Sequence, residues 1–169
     1  MHPRMRVAVQ DANVFIDLEL AGLYDLWLQM GVEVHTTDLI RMELVRGQHR
    51  ISLSYLSGMV VHELTSDELM LISELEQTVA NKAKFNDCSV LYLAEKLKVP
   101  LISGDSALRA AAQKRGVTVR GTLWIFDTLI ERGLLGTKIA AEKLRQLLHQ
   151  DRHLPKSACD ERFGRWEDS

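Results

Sequence analysis

Four carboxylates stand where a fold could make them act together. Asp11 follows the Val-rich run Met5 to Gln10, and Asp105 follows the apolar run Val99 to Ile102. Asp87 falls in the first turn of an amphipathic stretch from about Asn86 to Lys98, and Glu43 lies in a stretch opening after Thr36-Thr37-Asp38. Gathered in one cleft, three or four such groups repel so strongly that some must protonate or a cation must bind. Oxygen donors with few histidines nearby suit Mg²⁺ or Mn²⁺ rather than zinc. Ions held in this way can activate a water and stabilise charge on a phosphoryl group during in-line displacement. Taken singly, each acid reads more readily as a helix cap or a solvated charge, and Glu43 most of all.

The elements that must position these acids are legible in the hydrophobic pattern. Short apolar runs at 5–10, 32–35, 59–64, 99–102 and 117–119 predict buried strands. Between them, helical spacing predicts helices over 14–30, with Gly22 weakening the middle and Gly31 ending it, over one to two turns holding Leu39, Ile40, Glu43 and Leu44 after N-cap oxygens from Thr36-Thr37-Asp38, over 66–79, over 86–98, over 108–115 and over 123–132. Thr65 and Glu68 have the spacing of a capping box. Residues 48–58 are ambiguous. Residues 137–150 predict a further amphipathic helix with Thr137 as its cap, its apolar face expected in the core. Strands alternating with helices, and continuously apolar rather than alternating, predict a three-layer α/β/α domain with a mainly parallel central sheet. Ligands in such sheets collect beyond the carboxyl ends of the strands, where Asp11 and Asp105 fall.

The chain of 169 residues has the length of one domain, with a formal net charge of −2 that excludes a protein coating nucleic acid by bulk charge. Phosphate must then be met by metal or by a local patch. Arg41, Arg46 and Arg50 bracket Glu43, Lys82 and Lys84 precede Asp87, and Arg109 follows Asp105, so RNA-binding charge and ordinary pairing on solvated helix faces are both open. Cys88 and Cys159 form no C-x-x-C pair and read as free thiols. No apolar run approaches the roughly 18 residues needed to cross a bilayer, and no secretory h-region follows Met1, so a cytoplasmic location and no membrane partner are expected.

Val9-Gln-Asp11-Ala-Asn13-Val-Phe-Ile, Thr37-Asp-Leu-Ile-Arg-Met-Glu43-Leu, Phe85-Asn-Asp87-Cys-Ser-Val-Leu-Tyr-Leu-Ala-Glu and Val99-Pro-Leu-Ile-Ser-Gly-Asp105 together resemble a PIN domain. The resemblance covers roughly residues 5 to 133, including a closing segment from Gly121 to Gly133. It implies a PIN-like fold and a metal-dependent ribonuclease of the kind found as VapC toxins of toxin–antitoxin pairs and in RNA processing. It also implies that Asp11, Glu43, Asp87 and Asp105 are the catalytic, metal-binding acids, with Mg²⁺ or Mn²⁺ as cofactor. Asn13 matches the polar position after the first acid, and Ser103 the hydroxyl position before the fourth. RNA hydrolysis to a 5′-phosphate and 3′-hydroxyl, an antitoxin protein partner and a homodimer are further implications. Ala107 stands where some relatives carry another acid, which puts a second metal site in doubt.

The domain expected is 1–136, with 137–169 a C-terminal helix and polar tail packed on it or extending it. Trp27 and Trp124 are expected in the core. Trp166, in the charged tail, could dock on its own domain, a second subunit or a partner. The six histidines show no metal spacing, and His149 and His153, four apart, are expected in solvent. Two other functions compete with the nuclease. A catalytically silent protein or RNA interaction module would not require all four acids. Phosphotransfer through an aspartate fits less well, because haloacid-dehalogenase-like chemistry needs Asp-x-Asp where this chain has Asp11-Ala-Asn13.

Overall fold

The computed structural model describes residues 6–47, 56–79 and 83–169, and among them five parallel strands run in the order β3-β2-β1-β4-β5. They are β1 (Val7–Gln10), β2 (Glu33–Thr37), β3 (Val60–His62), β4 (Leu101–Ile102) and β5 (Val119–Arg120). The register pairs Val9 with His35 on one side of β1 and with Leu101 on the other. That central position explains the apolar run Val7 to Val9 in β1: Ala8 and Val9 are fully buried, as are Val34, Leu101 and Ile102 in the neighbouring strands.

The helices flanking the sheet are α1 (Ala12–Leu20), α2 (Tyr24–Gln29), α3 (Asp38–Arg46), α4 (Ser66–Thr78), α5 (Phe85–Leu97), α6 (Ser106–Lys114), α7 (Thr122–Glu131), α8 (Thr137–His149) and α9 (Lys156–Glu167). Helix α5 packs across β1, β2 and β4, with α4 on its outer side. The expected α/β fold with a parallel sheet is therefore the observed one.

Several boundaries differ from the sequence reading for identifiable reasons. The single helix expected over 14–30 is two helices, because Gly22 adopts a left-handed φ of +65° that a right-handed helix cannot contain. Thr37 caps α3 by accepting from Ile40 N–H at 3.3 Å, and the Thr65–Glu68 capping box forms with both bonds at 3.2 Å. Gly136, not Thr137, is the N-cap of α8, and Thr137 is its first helical residue. Part of the ambiguous stretch 48–58 lies outside the described residues.

The C-terminal residues are also more ordered than a polar tail. Helix α9 packs along α8, and Trp166 is buried on its own chain, stacked on Phe126 with ring centroids 5.9 Å apart. Arg162 clamps Asp127 through two bonds of 2.6 and 3.1 Å. Trp27 lies fully buried against Trp124 in an edge-to-face pair at 6.0 Å. Cys88 and Cys159 are free and buried, and burial pushes the Cys88 thiol up to about 11. The β2–β3 register brings His35 and His62 together, Nδ1 to Nε2 at 2.7 Å, a pairing that sequence spacing did not show. His149 and His153 are exposed.

Candidate functional site

The strand order reverses beside β1: the chain steps outward to β2 and β3, then returns to the opposite side of β1 for β4 and β5. The crevice at such a reversal lies between the carboxyl ends of the two diverging strands. Here those ends carry Asp11 after β1 and Ser103-Gly104-Asp105 after β4.

Asp11 is 1% exposed. Its N–H bonds to the Ile102 carbonyl at 3.0 Å, which extends the β1–β4 ladder by one residue. Its Oδ1 caps α1 by accepting from Val14 N–H at 3.0 Å, and its Oδ2 accepts the Ser103 hydroxyl. Burial dominates and pushes the Asp11 carboxyl up to about 7, against the lowering effect of those two bonds and with repulsion from Asp87 and Asp17.

Asp105 is the N-cap of α6, accepting from Leu108 N–H at 2.7 Å, while its own N–H donates to Ser103 Oγ at 3.2 Å. Ser103 thus touches both acids. Asp87 sits in the first turn of α5, where its Oδ2 faces the Lys84 N–H at 3.4 Å. Burial, then repulsion from Asp105 and Glu43, pushes the Asp87 carboxyl up to about 6, with the Lys84 backbone and charge opposing. Glu43 is exposed on α3 and accepts a bond of 3.3 Å from Asn86 Nδ2, beside Asp87. Each of the four acids is therefore coupled to at least one other across the crevice. Three of them stand at helix N-termini, whose positive ends partly offset a charge that would otherwise be unsupportable.

The residues fit a hard cation in donor chemistry. All the acids offer oxygen, and among the described residues none forms an ion pair with Lys or Arg. They do not form a closed cage: among the described residues no three His, Cys, Asp or Glu side chains already converge on one point.

The remaining site residues divide. Asn13 is exposed, its Oδ1 accepting from Arg152 at 3.5 Å. Arg41, Arg46 and Lys84 are exposed and Arg109 half-buried, and among the described residues none of them pairs with a carboxylate. Arg50 and Lys82 lie outside the described residues. Sequence reasoning missed Asp17, which is buried on α1 and holds Thr122 Oγ1 at 2.7 Å and Arg152 Nε at 2.6 Å. A carboxylate between Val14 and Leu18 on an apolar helix face was the available signal that a buried partner must exist.

A family model described as a PIN domain matches residues 7–168. The match runs past residue 133, so the C-terminal helices fall within the family region. Among solved structures, the chain is similar to a PilT N-terminus domain protein, SSO1118, from the archaeon Sulfolobus solfataricus P2. That similarity has 16% identity and a TM-score of 0.50, over 82% of this chain and 93% of that one. It is similar also to PAE2754 from Pyrobaculum aerophilum, with 20% identity and a TM-score of 0.47 over 76% and 89%. No curated protein matches. At 16% identity the first of these similarities speaks to the fold alone. No helix among the described residues is long and apolar enough to cross a membrane.

Proposed function

Because the chain belongs to the PIN-domain family, whose members are generally nucleases, we propose that it is a metal-dependent endoribonuclease that hydrolyses RNA phosphodiester bonds. The observation carrying this reading is the acidic crevice, whose four carboxylates have no Lys or Arg ion-pair partner among the described residues and in which Asp11 and Asp87 have carboxyls raised by burial and by their neighbours' charge. Asp11, Asp87 and Asp105 would hold Mg²⁺ or Mn²⁺, with Glu43 at the rim. When bound, the ion polarises a phosphoryl oxygen and offsets the charge that develops there. Ser103 fixes the Asp11 carboxylate through its hydroxyl and meets the Asp105 backbone through the same oxygen, so one side chain sets the spacing of two acids. Lys84 and Arg109 supply positive charge beside the acids for a phosphate that approaches them.

The test is cleavage of a defined RNA with Mn²⁺, Mg²⁺ or chelator. Cleavage that needs the metal and leaves 5′-phosphate ends supports the reading; cleavage undiminished by chelator contradicts it. A toxin role, an antitoxin partner and a homodimer extend the same reading from the family resemblance. Induced expression should then arrest growth, and Asp11→Asn should relieve the arrest.

A further inference from the structure

A cleft of about 870 Å³ runs beside the β4–β5 edge of the sheet, from Arg6 and Pro100 at the amino ends of the strands to Gly104 and Gly121 at their carboxyl ends. The C-terminal segment, through Leu154 and Pro155, forms its opposite wall. Arg6, Arg109, Arg120, Arg162 and His153 line it, and among the described residues no Asp or Glu does. In a chain with a net charge of −2, a carboxylate-free cleft with four arginines is not a consequence of composition. Arg162 is committed to Asp127. Arg6, Arg109 and Arg120 have no carboxylate partner among the described residues.

The cleft meets the acidic crevice at one end. Gly104 directly precedes Asp105, and Arg109 leaves the same helix that Asp105 caps. At the carboxyl end of β5, Gly121 borders both residues: a Cβ built there would lie in ordinary van der Waals contact, 3.5 Å, with Arg109 Nη1 and with the Ser103 carbonyl, so Arg109 and the loop before Asp105 meet at this junction. The walls between the arginines are mostly apolar, with Thr118 and Thr122 among them, and include the partly exposed Trp124. Unpaired cations alternating with apolar and aromatic surface suit a single polynucleotide strand, whose phosphates and unstacked bases can be met separately.

We propose that this cleft seats the single-stranded RNA flanking the scissile phosphate, and that the C-terminal segment is one wall of the substrate path. The proposal rests on the nuclease reading for its orientation toward Asp105. Its test uses the full chain with Asp11→Asn, in chelator, and a fluorescein-labelled single-stranded oligouridine of about 12 nucleotides. Adding Arg6→Glu and Arg120→Glu should weaken binding about tenfold or more and lower the dependence of log K on log salt by roughly two. Equal thermal melting of parent and variant establishes that the fold is kept, and Arg120→Gln should give a smaller loss in the same direction. Photocrosslinking of 4-thiouridine RNA to the Asp11→Asn chain should label peptides containing Trp124 or Leu154.

Unchanged affinity in the charge-reversed variant, or crosslinks confined to α3, would overturn the proposal while leaving metal-dependent cleavage by the wild type intact. Equally tight binding of a duplex, or loss of poly-glutamate binding with RNA binding retained, would also overturn it, the latter in favour of an acidic protein ligand. Loss of RNA binding in the variant alongside a wild type that cleaves no RNA would uphold the cleft and reject the nuclease reading.

Discussion

Ser103 donates its hydroxyl to Asp11 Oδ2 across the point where the sheet reverses its strand order. The two residues are far apart in the chain, yet each directly follows a central strand, so the parallel pairing of β1 and β4 is what brings them together. Asp11 is buried with few donors, and this one holds its ionised form down in energy.

Ser103→Ala should therefore raise the Asp11 titration further above about 7 in the metal-free protein, as followed by carboxyl NMR. It should lower stability by about 1–3 kcal/mol, the range for a buried acceptor deprived of its donor. An unmoved Asp11 titration would show that the hydroxyl does not control this carboxylate.

The same shifts set a pH dependence. The folded state holds the Asp11 proton up to about 7, whereas the unfolded chain releases it near 3.8. Between those values the folded state binds more protons, so metal-free stability falls as pH rises through the interval. Asp87, raised to about 6, adds the same sign over the lower part of the range. Melting temperatures between about pH 4 and 8 should show this decline, flatter in Asp11→Asn, where the amide still caps α1. Mn²⁺ should restore stability at the upper end. A wild-type profile parallel to that of Asp11→Asn would contradict the assignment.

Arg152 reaches from the segment after α8 to Asp17 at 2.6 Å and to the Asn13 carbonyl at 3.2 Å, tying the C-terminal region to the helix that Asp11 caps. Both members of the ion pair are largely shielded from solvent, with side chains 14% and 7% exposed. Arg152→Ala should leave a buried carboxylate with only Thr122 as partner and destabilise the fold by about 3 kcal/mol or more by denaturant titration. Asp17→Asn in the same background should recover part of that loss, because it removes the stranded charge. No recovery would mean that the pair is not coupled.

Trp166→Ala should destabilise by about 3–5 kcal/mol, the usual range for truncating a buried aromatic. Its indole is 3% exposed and stacked on Phe126. A loss below about 1 kcal/mol would show that α9 contributes little to the core.

The sequence made some of this legible and hid the rest for physical reasons. Asp11 and Asp105 were found because strand ends are marked locally by a change in polarity, and Thr65 and Glu68 because a capping box spans only four residues. The Gly22 break was underestimated, since the flanking apolar residues keep helical spacing across it. Asp17 with Arg152, and Arg6 with Arg120 along one cleft, depend on how distant segments pack, which no local window records. Trp166 belonged to the same class: its charged neighbours suggested a tail, whereas its burial comes from packing on distant segments, the ring of Phe126 among them.

Mn²⁺ binding by calorimetry at about pH 8, where Asp11 and Asp87 are ionised, tests the central claim most directly. The wild type should bind saturably, and Asp11→Asn, Asp87→Asn and Asp105→Asn should each weaken binding at least about tenfold, or ~1.4 kcal/mol. Binding that is equally tight in the wild type and in all three variants, or absent from the wild type, would contradict the account.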